Sequence, residues 1–224
     1  MFVISSACGP LQANCYIVAP AEAGPCVIID PGMEATPAVT SLLARHRLTP
    51  AAILATHGHV DHIADAAGLA DAWSVPVWIR SEDRHLLTDP AAGLNADMAT
   101  WLRLGRPDGL RAPGRVDLLD GRDAVHLAGL TFAVTHAPGH TQGSVLYTVS
   151  EHPGDESPLV FSGDVLFAGS IGRTDLPGGD PAVMRRTLRE VVVALPDDAR
   201  ILPGHGPATV MRVERATNPY LPVA

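Results

Sequence analysis

The densest group of chemically active side chains in this sequence is the heptapeptide THGHVDH, residues 56–62. It places His57, His59, Asp61 and His62 within six positions, directly after the apolar run AAILA. Two imidazoles that are two residues apart on a turn can converge on one cation, and the carboxylate and third imidazole can then face a second cation beside it. Neutral imidazole and carboxylate are ligands of zinc, iron and manganese. By itself the heptapeptide suggests a metal centre, and the alternative is a solvated loop.

Three later motifs place further metal-ligating side chains beside glycine, each after an apolar strand. His140 lies in APGHT, Asp164 in FSGD and His205 in PGHG. Glycine allows the sharp turns and the close approach that such a site requires. Because the ends of packed strands bring several loops together at one edge, we expect the five histidines and two aspartates of the four motifs to meet there and bind two ions. The alternative, unrelated turn residues, requires four independent coincidences.

The composition limits the class of protein. The chain has 224 residues, of which 46% are apolar and 18% charged, and its formal net charge is −8. These values are ordinary for a soluble globular protein, and the acidic charge without basic runs argues against nucleic-acid binding. The sequence shows neither a signal peptide nor an apolar run long enough to cross a bilayer. We therefore expect a cytoplasmic protein that does not associate with nucleic acid or membranes.

The cysteines do not form a recognisable framework. Cys8, Cys15 and Cys26 are odd in number, and none forms a C-x-x-C pair. This pattern argues against both a disulfide scaffold and a thiolate zinc site. We expect free thiols that are buried or half-buried, in a reducing compartment.

Apolar, β-branched runs separated by turn residues fill the first third of the chain and return from Ala124 onward, with helical patterns between and after them. This order predicts two sheets with helices outside them, in one domain that spans residues 1–224. Residues 80–115 are less regular, with a predicted helix near Asn95–Leu104 and a Gly-, Pro- and Arg-rich stretch after it. We interpret this segment as a lid or substrate loop, or alternatively as an exposed helical insertion.

In this order along the chain, the four motifs resemble the metal-binding motifs of the metallo-β-lactamase superfamily. The longer stretch FSGDVLFAGSIGRTDLPGGD, together with GPLQANCYIV and VIIDPG, resembles the glyoxalase II (hydroxyacylglutathione hydrolase) branch and its short bacterial relatives. The resemblance extends from about Gly9 to Tyr220. It implies an α/β protein with the αββα four-layer sandwich fold of the metallo-β-lactamase type.

The resemblance also implies a role for each residue of the four motifs. The first metal ion would be bound by His57, His59 and His140, and the second by Asp61, His62 and His205, with Asp164 bridging both. Zn²⁺ is the expected metal at both positions, with iron or manganese as alternatives. Asp61 and Asp164 are the expected catalytic carboxylates. Asp30 matches a position behind the ligands, although an aspartate before Pro-Gly is also a common turn residue.

The implied reaction is hydrolysis of the thioester of a low-molecular-weight thiol, such as S-lactoylglutathione, by a hydroxide that bridges the two metal ions. Full-length glyoxalase II enzymes carry a further helical domain after the last ligand, and much of their glutathione contact comes from it. Only 19 of the 224 residues follow His205, so we expect a short form without that domain. The thiol is therefore left open between glutathione and another small thiol such as mycothiol.

Four further residues are candidates for substrate contact. Arg173, in IGRTD, either meets an acidic group of the substrate or pairs with Asp175 to shape its loop. Trp101, Arg103 and Arg106 either line the thiol pocket or simply pack and solvate a helix. The sequence does not decide between these roles.

Persulfide dioxygenases are the main alternative, because they share this fold and have a similar GRTD segment. They use one iron ion, which would here be bound by His57, His140 and Asp164. Other members of the superfamily act on β-lactams, lactones or RNA. The missing export signal argues against the first of these substrates, and the acidic charge argues against the last.

Overall fold

The computed structural model describes residues 1–105, 110–150 and 157–222, with residues 103–105 described by their backbone alone. Two mixed six-stranded sheets make up its centre. The first sheet contains, in spatial order, β1 (Phe2–Cys8), β2 (Ala13–Ala19), β3 (Gly24–Ile29), β4 (Leu48–Leu54), β5 (Val77–Ile79) and β6 (Val116–Leu118). The second contains, in spatial order, β7 (Ala124–Leu127), β8 (Leu130–His136), β9 (Val145–Val149), β10 (Leu159–Gly163), β11 (Arg200–Pro203) and β12 (Thr209–Val210).

Each sheet contains a parallel part that carries predicted site residues at its carboxyl end. Strands β3, β4, β5 and β6 are parallel neighbours, and β10 is parallel to β11. The α-helices of the described ranges are α1 (Ala35–His46), α2 (Val60–Ile63), α3 (Ala66–Trp73), α4 (Ala96–Gly105), α5 (Pro181–Glu190) and α6 (Met211–Thr217). Parallel strands require crossover connections, which α1 and α3 provide in the first sheet and α5 provides in the second.

Alternation of side chains along the strands produces three apolar layers. In β2, Val18 packs between the sheets together with Phe161 of β10, while its neighbour Ile17 packs on the opposite face against Val39 of α1. In the second sheet, Val160 faces outward and packs against helix α5. Successive strand residues point to opposite faces, so one pattern fills both the inter-sheet core and the two helix-covered faces. The predicted αββα sandwich is confirmed.

Between the histidine cluster and β5 the chain forms two helices, α2 and α3, instead of one. Asp65 lies at the division, where its Oδ2 accepts hydrogen bonds from the backbone N–H and the hydroxyl of Thr36, at 2.9 and 2.8 Å. The N–H of Asp65 donates to the carbonyl of Pro31 at 3.1 Å. These contacts tie the residue to the loop after β3, and the chain changes direction there.

The segment 80–115 packs a small apolar cluster of its own. Helix α4 matches the predicted helix to within one residue at each end, and it buries Ala99 and Leu102 against Met33 and Val60. Residues 106–109, including Arg106, lie outside the described residues. A lid or substrate-loop role for this segment stays a prediction.

Two further expectations concern the thiols and membrane association. Cys8, Cys15 and Cys26 are all buried and unpaired, as expected, and burial raises the pKa of Cys26 to about 12. Within the described ranges, the structure contains no helix with the length and apolar character needed to cross a membrane.

Helix α5 fixes the loop that carries His140. Its N-cap residue Asp180 accepts hydrogen bonds from the N–H groups of Ala182 and Val183, at 2.7 and 3.0 Å. The N–H of Asp180 in turn donates to the carbonyl of Gly139 at 2.9 Å. About two turns later, the hydroxyl of Thr187 donates to the carbonyl of Pro138 at 2.6 Å. The first turns of α5 thus hold the two residues that precede His140.

Replacement of this cap should destabilise the fold. We expect Asp180→Ala to lower the free energy of unfolding by about 0.5–2 kcal/mol, because two N–H groups of α5 lose their acceptor. Urea denaturation measures this change. Asp198→Ala, which removes an exposed ion pair with Arg212, serves as the control and should change stability by less than about 1 kcal/mol. Equal effects of the two variants would contradict a capping role.

Candidate metal centre

The structure brings all seven predicted ligands together at one end of the sandwich. His57 and His59 follow β4, and Asp61 and His62 lie in the first turn of α2. The other three, His140, Asp164 and His205, follow β8, β10 and β11. Ligands in α/β proteins characteristically bind beyond the carboxyl ends of strands, and this is where the loops meet.

The first group consists of His57, His59 and His140. One nitrogen from each ring lies within 4.8 Å of the others, and Nδ1 of His59 is 2.8 Å from Nε2 of His140. All three side chains are buried. Three converging imidazoles of this kind are a donor set that zinc and iron accept.

The second group consists of Asp61, His62 and His205. Its ligand atoms also lie within 4.8 Å of one another. Nε2 of His205 is 3.2 Å from Oδ2 of Asp61 and 3.3 Å from Nε2 of His62. This group combines one carboxylate with two imidazoles, so its chemistry is harder than that of the first group.

The carboxylate of Asp164 lies between the two groups. Its Oδ2 is 3.6 Å from Nε2 of His140, which belongs to the first group, and 3.6 Å from Nε2 of His205, which belongs to the second. Its Oδ1 is 3.5 Å from Nε2 of His62. One carboxylate is therefore within reach of both donor groups.

Hydrogen bonds at the rear of four imidazoles determine which nitrogen faces the centre. In each ring Nδ1 lies close to an oxygen, and the pairs are His57 with Thr56 Oγ1 (3.1 Å), His62 with Asp30 Oδ2 (3.1 Å), His140 with the Arg173 carbonyl (2.7 Å) and His205 with the Leu11 carbonyl (3.0 Å). When Nδ1–H donates to these acceptors, the lone pair of Nε2 points into the centre. The four rings are thus oriented as ligands are.

In the described part of the chain, two buried atoms that face the centre have no hydrogen-bond partner. They are Nε2 of His57 and Oδ1 of Asp164. Among the described residues, the ion pairs of Asp61 and Asp164 are with histidines only. Burial of unpaired polar groups and charges is costly, and a cation at this position removes that cost. The donor set therefore fits divalent metal ions.

Burial and neighbouring charges set the protonation of the imidazoles. Burial, reinforced by His140, lowers the pKa of His59 to about 4, and burial also lowers the pKa of His140 to about 4. For His62, burial opposes the charged form, but Asp61 and Asp164 outweigh it and raise the pKa to about 10. The first group is thus neutral and ready to bind, whereas a cation at the second group displaces a proton from His62.

Asp83 connects the two loops that supply the first group. Its carboxylate is buried and accepts hydrogen bonds from the N–H of Gly58 (2.9 Å), the hydroxyl of Thr141 (2.6 Å) and the N–H of Gly143 (2.9 Å). Gly58 lies between His57 and His59, and Thr141 follows His140. The carboxylate therefore fixes the distance between the two loops.

Loss of this carboxylate should weaken the first group. Asn presents an N–H₂ group to at least one of the present donors, which leaves a buried donor unsatisfied at a cost of about 1–3 kcal/mol. We expect Asp83→Asn to bind the first zinc equivalent roughly 10- to 100-fold more weakly, the range typical of groups that orient metal ligands. Competition titration with a chromophoric chelator measures the affinity.

Asp120→Asn is the matched control for Asp83→Asn. Asp120 accepts hydrogen bonds from the N–H and the hydroxyl of Ser81, at 3.1 and 2.7 Å, on a more exposed turn near Asp83. The control variant should retain the zinc affinity of the unmodified chain. Unchanged zinc affinity in Asp83→Asn would show that Asp83 does not position the first group.

Contacts from the first sheet hold the loop of His205. Nδ2 of Asn14 donates to the carbonyls of Pro203 and Gly206, at 3.0 and 2.9 Å. The phenol of Tyr16 donates to the same Pro203 carbonyl at 2.7 Å. Residues of β2 thus position a side chain that follows β11 of the other sheet.

Asp30 lies behind the centre, as its position after β3 suggested. Its Oδ1 accepts from the N–H of Thr56 at 2.7 Å, and its Oδ2 accepts from the hydroxyl of Thr56 at 2.6 Å as well as contacting His62. Its backbone has a φ of 51°, a conformation that non-glycine residues seldom adopt. The buried hydrogen bonds hold the residue in this unusual conformation.

Two glycines allow the loops to approach the centre closely. A Cβ on Gly204 would overlap Oδ1 of Asp164 and lie 2.7 Å from Cε1 of His62. A Cβ on Gly172 would overlap the carbonyl of Asp164 and lie 3.0 Å from Nδ1 of His140. Gly204, the first glycine of PGHG, therefore packs directly against the ligands, and there is no space for a side chain at this position.

An added methyl group at Gly204 should displace the ligands. After gel filtration, we expect Gly204→Ala to contain less than one metal equivalent per chain, which is less than the unmodified chain retains. The reason is that overpacking costs about 1–3 kcal/mol and acts directly on Asp164 and His62. Elemental analysis gives the metal content. Gly68→Ala is the control, since its Cβ meets no atom within 4 Å in helix α3, and it should retain full metal content. Full content in Gly204→Ala would contradict this packing role.

The structure forms the alternative contact that the sequence suggested for Arg173. Its guanidinium pairs with Asp175 through Nε–Oδ1 and Nη2–Oδ2 contacts of 2.7 Å each, while its carbonyl accepts from His140. Asp83 and Asn14 help to position the ligands, and the sequence gives little indication of either. Asp83 lies in SEDRH, where no motif marks it, and Asn14 lies in GPLQANCYIV, whose contact with the His205 loop is visible only in the structure.

Comparison with known families identifies the superfamily. The family model of the metallo-beta-lactamase superfamily matches residues 8–205. The chain belongs to this superfamily. Superfamily membership and the His/Asp clusters together imply that the protein uses divalent metal.

Three relatives align with nearly the whole chain. An uncharacterised protein of Mycobacterium tuberculosis is 39% identical over 99% of this chain and 98% of its own length. The probable metallo-hydrolase YqgX of Bacillus subtilis is 34% identical over 95% of this chain and 94% of its own length. The hydroxyacylglutathione hydrolase GloC of Haemophilus influenzae is 34% identical over 94% of this chain and 93% of its own length.

Solved structures show the same fold. The B3 metallo-beta-lactamase BLEG-1 is 38% identical with a TM-score of 0.84, and the comparison covers 98% of this chain and 99% of BLEG-1. TTHA1623, crystallised in a di-iron-bound form, is 36% identical with a TM-score of 0.77, covering 99% of this chain and all of TTHA1623. Both the names of the relatives and the donor groups are typical of metallo-hydrolases.

Proposed function

We propose that this chain is a metal-dependent hydrolase that cleaves the thioester of a low-molecular-weight thiol. The observation that carries the proposal is the position of Asp164, within 3.6 Å of ligand nitrogens from both donor groups. A cavity of about 400 Å³ opens onto these groups and is lined by His59, His140 and His205 among others. This volume lies in the range of small-molecule sites.

The proposed ligand set follows the two groups. His57, His59 and His140 would hold one divalent ion, Asp61, His62 and His205 the other, and Asp164 both. We propose zinc as the metal, with iron or manganese as alternatives, because imidazole and carboxylate bind all three. The di-iron form of TTHA1623 supports a pair of ions in a relative of this size.

Divalent ions at these positions would lower the pKa of water and polarise the thioester carbonyl. Hydrolysis then forms a C–O bond at the acyl carbon and breaks its C–S bond. One proton of the water passes to the departing sulfur, and the other is released with the carboxylic acid. The reaction needs no serine or cysteine nucleophile, and the three cysteines are buried away from the ligand groups in the apolar layer beneath α1 and α3.

The chain itself provides the charge and the orientation. Asp61 and Asp164 both line the cavity. Their carboxylates would therefore lower the net positive charge of the two metal ions next to the reacting carbonyl. The rear hydrogen bonds of His62 and His140 fix ring orientation before substrate binds. Preorganised groups of this kind do not have to rearrange during the reaction, and this is a main source of catalysis.

Thioester hydrolysis is favoured over other metal-dependent hydrolysis by the relatives. GloC of Haemophilus influenzae is named a hydroxyacylglutathione hydrolase and aligns over almost the whole chain. The segments FSGDVLFAGSIGRTDLPGGD and GPLQANCYIV resemble the same branch. BLEG-1, by contrast, is named a B3 metallo-beta-lactamase, so a cephalosporin belongs in any substrate panel.

A mononuclear persulfide dioxygenase accounts for fewer of the observed contacts. Its single iron would use His57, His140 and Asp164. Asp61, His62 and His205 would then lack a function, although their ligand atoms lie within 4.8 Å of one another. A complete second group favours two ions and therefore the hydrolase.

Removal of His205 separates the two functions. For the hydrolase, we expect His205→Ala to lose one of two metal equivalents and to lower thioester kcat/KM by about 100-fold or more, because a metal ion contributes several kcal/mol to catalysis. The dioxygenase predicts one iron per chain before and after the change, with oxygen uptake on a persulfide. Elemental analysis and a panel of S-lactoylglutathione, a glutathione persulfide and a chromogenic cephalosporin provide the measurements.

Chelation supplies the control for this experiment. Dialysis against a chelator should abolish thioester hydrolysis, and added zinc or manganese should restore it. His136→Ala is the matched histidine variant, since His136 is exposed and its Nε2 contacts the carbonyl of Gln142, and it should retain both metal equivalents. Thioester hydrolysis that survives chelation, or that His205→Ala leaves intact, would refute the proposed function.

A further inference from the structure

The walls of the cavity above the donor groups are largely apolar. On one side lie Leu94, Met98 and Trp101, and on the other side lie Leu11 and Phe167. Two of these side chains are large and well exposed, with Trp101 57% and Leu11 47% accessible to solvent. Large apolar side chains exposed around one opening are characteristic of a surface that binds an apolar partner.

Helix α4 is built to present this wall. Ala99 and Leu102 face inward and pack in the cluster that includes Met33 and Val60. Met98 and Trp101 are three residues apart, so both project from a neighbouring face of the helix. That face borders the cavity, since both side chains line it, and Met98 also packs against the inner cluster.

Positive charge is scarce on these walls. Of the lining side chains that the structure describes, Arg173 is the one arginine, and Asp175 occupies the Nε–Nη2 edge of its guanidinium. The bond to Asp175 raises the pKa of Arg173, and the Asp175 carboxylate already neutralises this cation. A glutathione carboxylate placed against these described walls would have to share that cation with Asp175, and burial of a poorly paired carboxylate is unfavourable.

We propose that this cavity binds an apolar acyl group, so that the preferred substrates are aliphatic or aromatic acyl thioesters rather than lactoyl thioesters of a charged thiol. The inference rests on the proposed thioesterase function and specifies its substrate class. With the thioester carbonyl at the donor groups, the acyl chain extends between Phe167 and the wall of Met98 and Trp101. Each methylene group removed from water there strengthens binding.

Four substrates test the proposal with the metal-loaded full chain. They combine two acyl groups, octanoyl and lactoyl, with two thiols, neutral N-acetylcysteamine and charged glutathione. We expect octanoyl to exceed lactoyl in kcat/KM by roughly tenfold or more on each thiol, because the larger apolar group is buried. Glutathione should give no advantage over N-acetylcysteamine. Equal or faster turnover of lactoyl thioesters, or a clear preference for glutathione, would overturn the proposal.

Variants of Trp101 test whether this side chain contacts the acyl group and causes the preference for octanoyl over lactoyl thioesters. Trp101→Ala should narrow the octanoyl-to-lactoyl ratio by roughly fivefold, and Trp101→Phe should restore most of it, because an aromatic wall remains. Tyr220→Ala is the matched control, since Tyr220 is 54% exposed and does not line the cavity, and it should leave the ratio unchanged. An unaltered ratio in Trp101→Ala would show that the acyl group lies elsewhere.

Failure of the proposed function can be distinguished from failure of this inference. If none of the four thioesters is hydrolysed, the thioesterase function is wrong. The inference is then tested by calorimetric binding of two stable amides, N-octanoyl- and N-lactoyl-cysteamine. Tighter binding of the octanoyl amide supports an apolar binding site, and equal or weaker binding overturns it.

Discussion

The structure is organised around carboxylates that are buried beside imidazoles and that, within the described residues, have no arginine partner. Asp61 and Asp164 are each less than 10% exposed, and within the described residues they pair only with histidines. The cost of burying such charges is several kcal/mol per ion in the absence of a counter-charge. Protonated His62 supplies part of the counter-charge, and divalent cations would supply more of it. The hydrogen bonds of Asp30 and Asp83 and the cap of α5 keep the loops in place against this electrostatic strain.

Much of this arrangement could be predicted from local sequence. Alternating apolar residues such as Ile17 and Val18 predict the faces of strands, and the four motifs end strands with glycine beside a ligand-type residue. Asp83 could not be predicted, because the groups that donate hydrogen bonds to its carboxylate come together only when the loops around Gly58 and Gly143 are adjacent. The division between α2 and α3 could likewise not be predicted, because Asp65 accepts hydrogen bonds from Thr36, which is 29 positions away in the sequence. Contacts between distant segments are set by packing, which periodicity does not encode.

The site separates the reacting centre from the surface that selects the substrate. Donor groups come from strand ends in both sheets, which are rigid and buried. Part of the apolar wall, Met98 and Trp101, comes from α4, a short helix held by the contacts of Ala99 and Leu102 with Met33 and Val60. Residues on such a segment can change without disturbing the ligands.

The bonds from Asn14 to the His205 loop join positions up to 192 residues apart. Closing so large a loop is entropically costly and slow, so contacts of this kind form late in folding. In the proposed ligand set, an ion held by both His205 and the THGHVDH loop would stabilise that closure, because its binding free energy would add to the stability of the closed chain. Metal supply would thus affect the stability of the folded chain as well as its chemistry.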